Sequence, residues 1–261
     1  MVRAYLFVFR NVFHFSVNLM NILEFDMTIA FFAWLYYNCF VIWRQIMKTT
    51  TFYLIRHGES LGNASRIYLG HTDLDLSEKG RNQAEITAEH LHSVKFDAIY
   101  SSDLLRAHNT ALPHAKMRGL SINDTQELRE VNLGDWEGLH IDTLVSEHHE
   151  QFVEKWLGEF GPFAFPNGES VVHAADRFCS KLIQIAKENE GKTILITAHA
   201  AVTRAFWCKI SGIEPLSDWG KKVPFPTNAS YSICTFDGEK FTPCEYSCDA
   251  HFEKMLITHI E

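Results

Sequence analysis

At 261 residues and a formal net charge of −8, the chain is long enough for one well-filled α/β domain, and its acidity argues against nucleic acid as a partner. Residues 1–46 carry Arg3, Arg10 and Arg44 against Glu24 and Asp26, a net +1, so −9 falls on the remainder and any anionic ligand must be held by a local cluster of Arg and His. The six cysteines (39, 179, 208, 234, 244, 248) are scattered and lack C-x-x-C spacing, which argues against a zinc ribbon or a disulfide framework and for reduced thiols in a cytosolic protein.

Thirty-three of the first 46 residues are apolar, and no Gly or Pro occurs before Gly58. The most apolar run, "MTIAFFAWLYYNCFVIW" at residues 27–43, lies at the lower limit for crossing a bilayer and is interrupted by Asn38. Three readings stand for residues 1–46. They are an artefact of start-codon choice, since Met47 opens "MKTTTFYLIRHGES" directly before a strand; they are a membrane anchor with the rest of the chain in the cytoplasm; or they are a signal peptide, which fits less well because no small-x-small site follows. The expected organisation is an apolar N-terminal extension, 1–46, and a folded domain, 47–261. A protein beginning at Met47 is expected to fold and be fully active; an insoluble or inactive product would assign the first 46 residues to the domain.

From Met47 onward, strand and helix patterns alternate. Phe52, Tyr53, Leu54 and Ile55 predict a short buried strand, with Gly58 freeing the backbone to turn, so Arg56 and His57 fall at the strand's C-terminal end. "LSEKGRNQAEITAEHLHSV" predicts a helix capped by Ser77, with Ala84, Ala88 and Leu91 on one face. "FDAIYSS" predicts a second strand, leading into a helix capped by Ser102 or Asp103 with Arg106 in its first turn. Ile122 marks a third strand, and "ELREVNLGDWEG" a loop. Amphipathic helices are expected near 141–158 and 170–189, then a strand "KTILITAHA" ending at His199, a helix closed by Gly212, and a hairpin turning at Asp237-Gly238. The alternation predicts a three-layer α/β/α sandwich with a mostly parallel central sheet and an antiparallel edge. In such a sheet Arg56-His57, Arg106 and His199 open on one edge, where ligands bind. Two arginines and two histidines there suit a phosphoryl group, because guanidinium donates in bidentate fashion to phosphate oxygens and a neutral imidazole can attack phosphorus.

Six motifs in order carry a resemblance: "LIRHGES" with Asn63 after it, "GHTDLDLSEKGRNQA", "YSSDLLRAHNTA", "LREVNLGDWEG", "PNGES" and "ITAHAAVTRA". From about residue 51 to about 236 the chain resembles the histidine phosphatase superfamily, the phosphoglycerate mutase-like family, in its phosphatase branch. The resemblance implies that His57 is the nucleophile, that Arg56, Asn63, Arg106 and His199 hold the phosphate oxygens together with the backbone at Ala200, and that Glu130 protonates the leaving oxygen and then activates water. Glu127 is the rival acid, set aside because Glu130 alone matches the motif position. The activity implied is that of a histidine acid phosphatase-type phosphoric monoester hydrolase acting on a small phosphorylated metabolite, with no cofactor and no metal.

Two departures stand out: Ala200-Ala201 where the family has Gly-Gly, and Asn109 where it has Gln. A phosphoglycerate mutase is the runner-up, disfavoured because only residues 139–165 separate Gly138 from "PNGES" and little chain follows the hairpin to shield a phosphohistidine. A metal hydrolase is weaker, since His148 and His149 are adjacent on an expected helix and point about 100° apart. An inactive membrane-tethered binding module fits poorly with retention of every charged group named. Sequons at Asn63, Asn123 and Asn228 are read as coincidental, because glycosylation of Asn63 would block the pocket. "GHTDLDLS" and residues 141–165 are expected to shape specificity.

Overall fold

The computed structural model describes residues 27–214 and 219–252. The readings made on residues 1–26 and on the tail 253–261 lie outside the described residues. The chain divides into two compact units, Met1–Met47 and Lys48–Glu261. Helix α1 (Met27–Lys48), all but its last residue in the first unit, exposes Phe31, Phe32, Tyr36 and Tyr37, and the Asn38 amide donates to the Trp34 carbonyl at 2.7 Å. Among the described residues no helix is long and apolar enough to cross a membrane.

The second unit is built on a six-stranded sheet of order β3-β2-β4-β1-β5-β6. The strands are β1 (Thr50–Arg56), β2 (Ala98–Ser102), β3 (Ile122–Thr125), β4 (Thr193–Ala198), β5 (Tyr231–Phe236) and β6 (Phe241–Cys248). The first four run parallel, while β5 and β6 form the antiparallel edge. The pleat sends alternate side chains to opposite faces. Phe52, Leu54, Ile194 and Ile196 meet Phe178 and Leu182 of helix α6 (Val171–Glu188) and Val202 and Phe206 of α7 (Ala200–Ile210). Ile55, Ile99 and Leu195 face the other way, onto Leu91, Phe96 and Ala111 beside α3 (Glu78–His90) and α4 (Leu105–Arg118). Helices on both faces of a mostly parallel sheet make the expected three-layer α/β/α sandwich.

Ser77 caps α3 as expected, its Oγ accepting from the Gly80 amide at 3.1 Å, a contact worth about 1 kcal/mol. At Gly58, where β1 has ended, glycine is required for close approach of the β1 loop to α3, since a Cβ there would lie 2.3 Å from the Gly80 carbonyl oxygen. Two local expectations are corrected. Neither Ser102 nor Asp103 caps α4. Its N-cap is Leu104, and Asp73 accepts from the Leu105 amide at 2.8 Å, leaving Ser102 for His199 and Asp103 for Arg129. The helix expected over 141–158 is two pieces, α5 (Ile141–Glu147) and a wider π-type helix (Glu150–Glu159) that buries Phe152 and Trp156.

Four buried histidines make this fold acid-sensitive. His114 is pushed down to about 3, mainly by burial and then by Arg118, and His251 to about 4 by burial and His90. Burial also holds His57 and His199 well below the ordinary imidazole range. The unfolded chain takes up these protons near pH 6.5, whereas the folded chain does not until far lower. Stability is therefore full above about pH 6.5 and falls as pH drops, by up to about 1.4 kcal/mol per pH unit for each histidine. Thermal melts at pH 7, 6 and 5 are expected to show a falling Tm; a flat profile would contradict these assignments.

Candidate active site

Position 57 follows the end of β1 directly. Its amide donates to the Ala198 carbonyl at 2.9 Å, tying the tip of β1 to the tip of β4, and its ring Nδ1 lies 2.7 Å from the Gly58 carbonyl oxygen. A carbonyl only accepts, so Nδ1 carries the hydrogen and Nε2 keeps its lone pair. Burial, then Arg106 and Arg56, hold the His57 pKa well below the usual value, which keeps the ring neutral. His199 packs edge-on at 5.2 Å between ring centroids. Its Nε2 lies 2.8 Å from Ser102 Oγ, and Nδ1 is buried with no hydrogen-bond partner among the described residues. Burial, Arg106 and His57 keep this ring neutral too.

The cations come from two elements. Arg56 ends β1; burial lowers its guanidinium to about 10, with Glu130 acting the other way, so it stays charged at neutral pH. It gives Nη1 to the Pro226 carbonyl at 2.5 Å, while Nε is buried without a partner among the described residues. Arg106 in the first turn of α4 is aimed by the loop before α3, donating to the Gly70 and Thr72 carbonyls at 2.7 and 2.9 Å. That loop is gathered by Glu137, whose carboxylate accepts from the Gly70, His71 and Thr72 amides and the Thr72 hydroxyl.

Glu130 is buried at the N-terminus of α7. Oε1 accepts from Val131 and Val202, and Oε2 from Ala201, all backbone amides at 2.8 to 3.0 Å. Its backbone is held by Arg177, which donates to the carbonyls of 127, 129 and 130 while pairing with Glu169 at 2.9 Å, and by His71, whose Nε2 donates to the Glu130 carbonyl. Glu127 is exposed and bonded to Thr125.

These elements enclose a cavity of about 260 Å³. Arg56, His57, Asn63, Arg106, Glu130 and Ala200 all line it, whereas Glu127 does not; His199 lies behind, against His57. Asn63, in the short helix α2 (Leu61–Ala64), closes a capping box with Ser60, and its Oδ1 also accepts from Asn228, which reaches the His57 carbonyl as well. Among the described residues no group of three or more His, Cys, Asp or Glu side chains is placed to hold a metal. His148 instead packs on Trp136.

The description "Histidine phosphatase superfamily (branch 1)" fits residues 52–249. The chain belongs to the histidine phosphatase superfamily. Phosphoserine phosphatase 1 of Hydrogenobacter thermophilus is 32% identical over 204 residues, covering 78% of this chain and 95% of the relative. Phosphoglycerate mutase-like protein 4 of Arabidopsis thaliana is 32% identical over 205 residues, with 77% and 86% covered. A mycobacterial glucosyl-3-phosphoglycerate phosphatase solved with VO3 superposes with a TM-score of 0.70 at 25% identity, covering 76% of this chain and 99% of that one.

Within this member of the histidine phosphatase superfamily, the two departures are absorbed locally. Asn109 donates to Asp75 at 2.6 Å, and Ala201 gives its amide to Glu130 while the Ala200 residue lines the cavity. Asp73, Glu137, Glu169 and Arg177 received no role from the motif spacing. Three of them stand inside quoted motifs, at "GHTD", "DWEG" and "PNGES", so their presence there was the available signal.

Proposed function

We infer that this histidine phosphatase is a metal-independent phosphomonoesterase that works through a phosphohistidine on His57. The observation that carries the reading is the fixed tautomer of His57, whose Nδ1–H is held by the Gly58 carbonyl while two arginines line the same cavity. The phosphoryl group passes from the substrate oxygen to Nε2: the P–O bond breaks as the P–N bond forms, and Glu130 gives a proton to the departing oxygen. Water then attacks phosphorus as the P–Nε2 bond breaks, Glu130 takes its proton, and inorganic phosphate leaves with the Nε2 lone pair restored. Arg56 and Arg106 neutralise charge on the equatorial oxygens, with Asn63 Nδ2 and the backbone at Ala200 as further donors, while His199 packs behind the nucleophile. The substrate is a small phosphorylated metabolite, in keeping with a cavity of this size and with the phosphoserine and glucosyl-3-phosphoglycerate phosphatases among its relatives. All six cysteines are free thiols, which supports a cytosolic setting.

The mutase reading draws support from relatives such as the phosphoglycerate mutase-like protein. The test is a direct comparison of phosphate release from phosphomonoesters with interconversion of 3- and 2-phosphoglycerate in the presence of the bisphosphate primer. Hydrolysis is expected to dominate; mutase turnover well above it would overturn the reading. In the same assay EDTA is expected to leave activity intact and vanadate to inhibit, by adopting the trigonal bipyramid of the transition state. Loss of activity on chelation, restored by zinc or iron, would instead indicate a metal hydrolase.

A further inference from the structure

The cavity is chemically divided. Its polar lining, Arg56, His57, Asn63, Arg106 and Glu130, is accounted for by the phosphoryl group and proton transfer. Apart from Ser60 and Arg66 the rest is apolar, and most of its large side chains come from three separated segments: Ile67 and Tyr68 after β1, Ile141 and the Trp156-Leu157 pair from the insertion before "PNGES", and Phe225 before the last hairpin.

This wall is rigid. Phe225 and Phe160 sandwich the buried Arg204 guanidinium at 4.1 and 4.2 Å, and Arg204 in turn donates Nε to the Val223 carbonyl at 2.6 Å, which fixes the backbone that carries Phe225. Trp156 packs on Phe225 at 5.8 Å and gives its indole N–H to the Tyr68 hydroxyl at 2.7 Å. Leu157, by contrast, is 39% exposed, a large aliphatic side chain left open on the lining of a cavity.

The wall also lacks a counter-charge for an anionic leaving group. Among the described residues, the cation on the lining beyond Arg56 and Arg106 is Arg66, an exposed side chain paired with Asp142 at 2.8 Å. A substrate carboxylate directed against the apolar wall would lose water and meet no cation on it. An aryl or alkyl group would bury apolar surface against a preformed face, with little left to order on binding.

We propose that the site selects phosphomonoesters whose leaving group is apolar, an aryl or alkyl alcohol without a carboxylate. The proposal rests on the phosphomonoesterase reading above and deepens it. It also sets this chain's preference apart from amino-acid or glycerate phosphates, which carry a carboxylate next to the ester.

The test uses the full chain with benzyl phosphate, phosphoserine and 3-phosphoglycerate. All are esters of alkyl alcohols, so their kcat/KM values compare binding of the leaving group and not its acidity as a phenol. Phosphate release is read for each. Benzyl phosphate is expected to exceed both carboxylates by about ten-fold or more in kcat/KM, the scale at which an apolar pocket discriminates. Leu157→Lys, which places a cation on the open part of the wall, is expected to narrow that gap at least about five-fold, chiefly by raising KM for benzyl phosphate and lowering it for phosphoserine. Equal or faster turnover of phosphoserine or 3-phosphoglycerate by the wild type overturns the inference and leaves the phosphatase reading standing. A preference that Leu157→Lys does not change overturns the assignment to this wall. Release from none of the three, together with no effect of vanadate on a generic aryl phosphate assay, removes the phosphatase reading and the inference with it.

Discussion

His57→Ala is expected to abolish turnover, by on the order of 10⁴-fold or more, while the folded state persists. Alanine offers no lone pair to phosphorus, and no neighbour can stand in: the second ring, His199, is fully buried behind the first and engaged with Ser102. The fold should tolerate the change because the backbone contacts at this position survive it. The amide of residue 57 still reaches Ala198, and its carbonyl still receives Asn228 and Ala229. Rapid acid quench of the wild type with labelled substrate should not preserve the intermediate, since a phosphohistidine is acid-labile; quenching in base should trap it, and the variant should show none. Wild-type activity in His57→Ala, with a normal melt, would defeat the mechanism outright.

Glu130→Gln is expected to lower kcat by about 10²- to 10⁴-fold and to lower stability as well. The carboxylate is proton carrier and helix cap at once, since both oxygens accept amides at the start of α7 and at Val131. A glutamine turns one acceptor into a donor facing a backbone N–H, at a cost of about 1–3 kcal/mol. Glu127→Gln is the control: its side chain is exposed and bonded to Thr125, so kcat should stay near wild type. If Glu127→Gln were the slower variant, the two acids would exchange roles. A melt beside each kinetic measurement separates the lost proton carrier from the lost cap.

The layers followed from the alternation of strand and helix patterns, whereas the strand order did not, because β1 and β4 are buried on both faces and their apolar runs do not say which strands pair. The gathering of residues 56, 57 and 106 around one cavity was legible because parallel strands send their C-terminal loops to one edge, whereas Glu130 was named by the resemblance alone. What stayed hidden were contacts that depend on tertiary geometry. Asp73 supplies the first-turn partner of α4 from a loop far away in sequence, so local capping rules named the wrong residues. Glu137 organises Arg106 at one remove, through the carbonyls it holds in place. The requirement for Gly58 comes from the Gly80 backbone, a neighbour that appears only once α3 has docked. Periodicity also gave no hint of the break between α5 and the π-type helix, since both halves bury the same kind of face.

The central position of β1 has a kinetic corollary. Its partners are β4 on one side and β5 on the other, so Arg56 aligns with Ala198 and Thr50 with Phe236. The backbone contacts that seat residue 57, to Ala198, Asn228 and Ala229, thus join segments separated by more than half of the folded unit, and loop-closure entropy must be met before any of them is rewarding. Such non-local topologies fold slowly, and their central strands dock late or all together. An amino-terminal fragment carrying "LIRHGES" would hold the nucleophile and none of its surroundings. On refolding from denaturant, recovery of activity should therefore coincide with recovery of the near-UV signal of the buried tryptophans, in a single phase, with no partly active intermediate ahead of it.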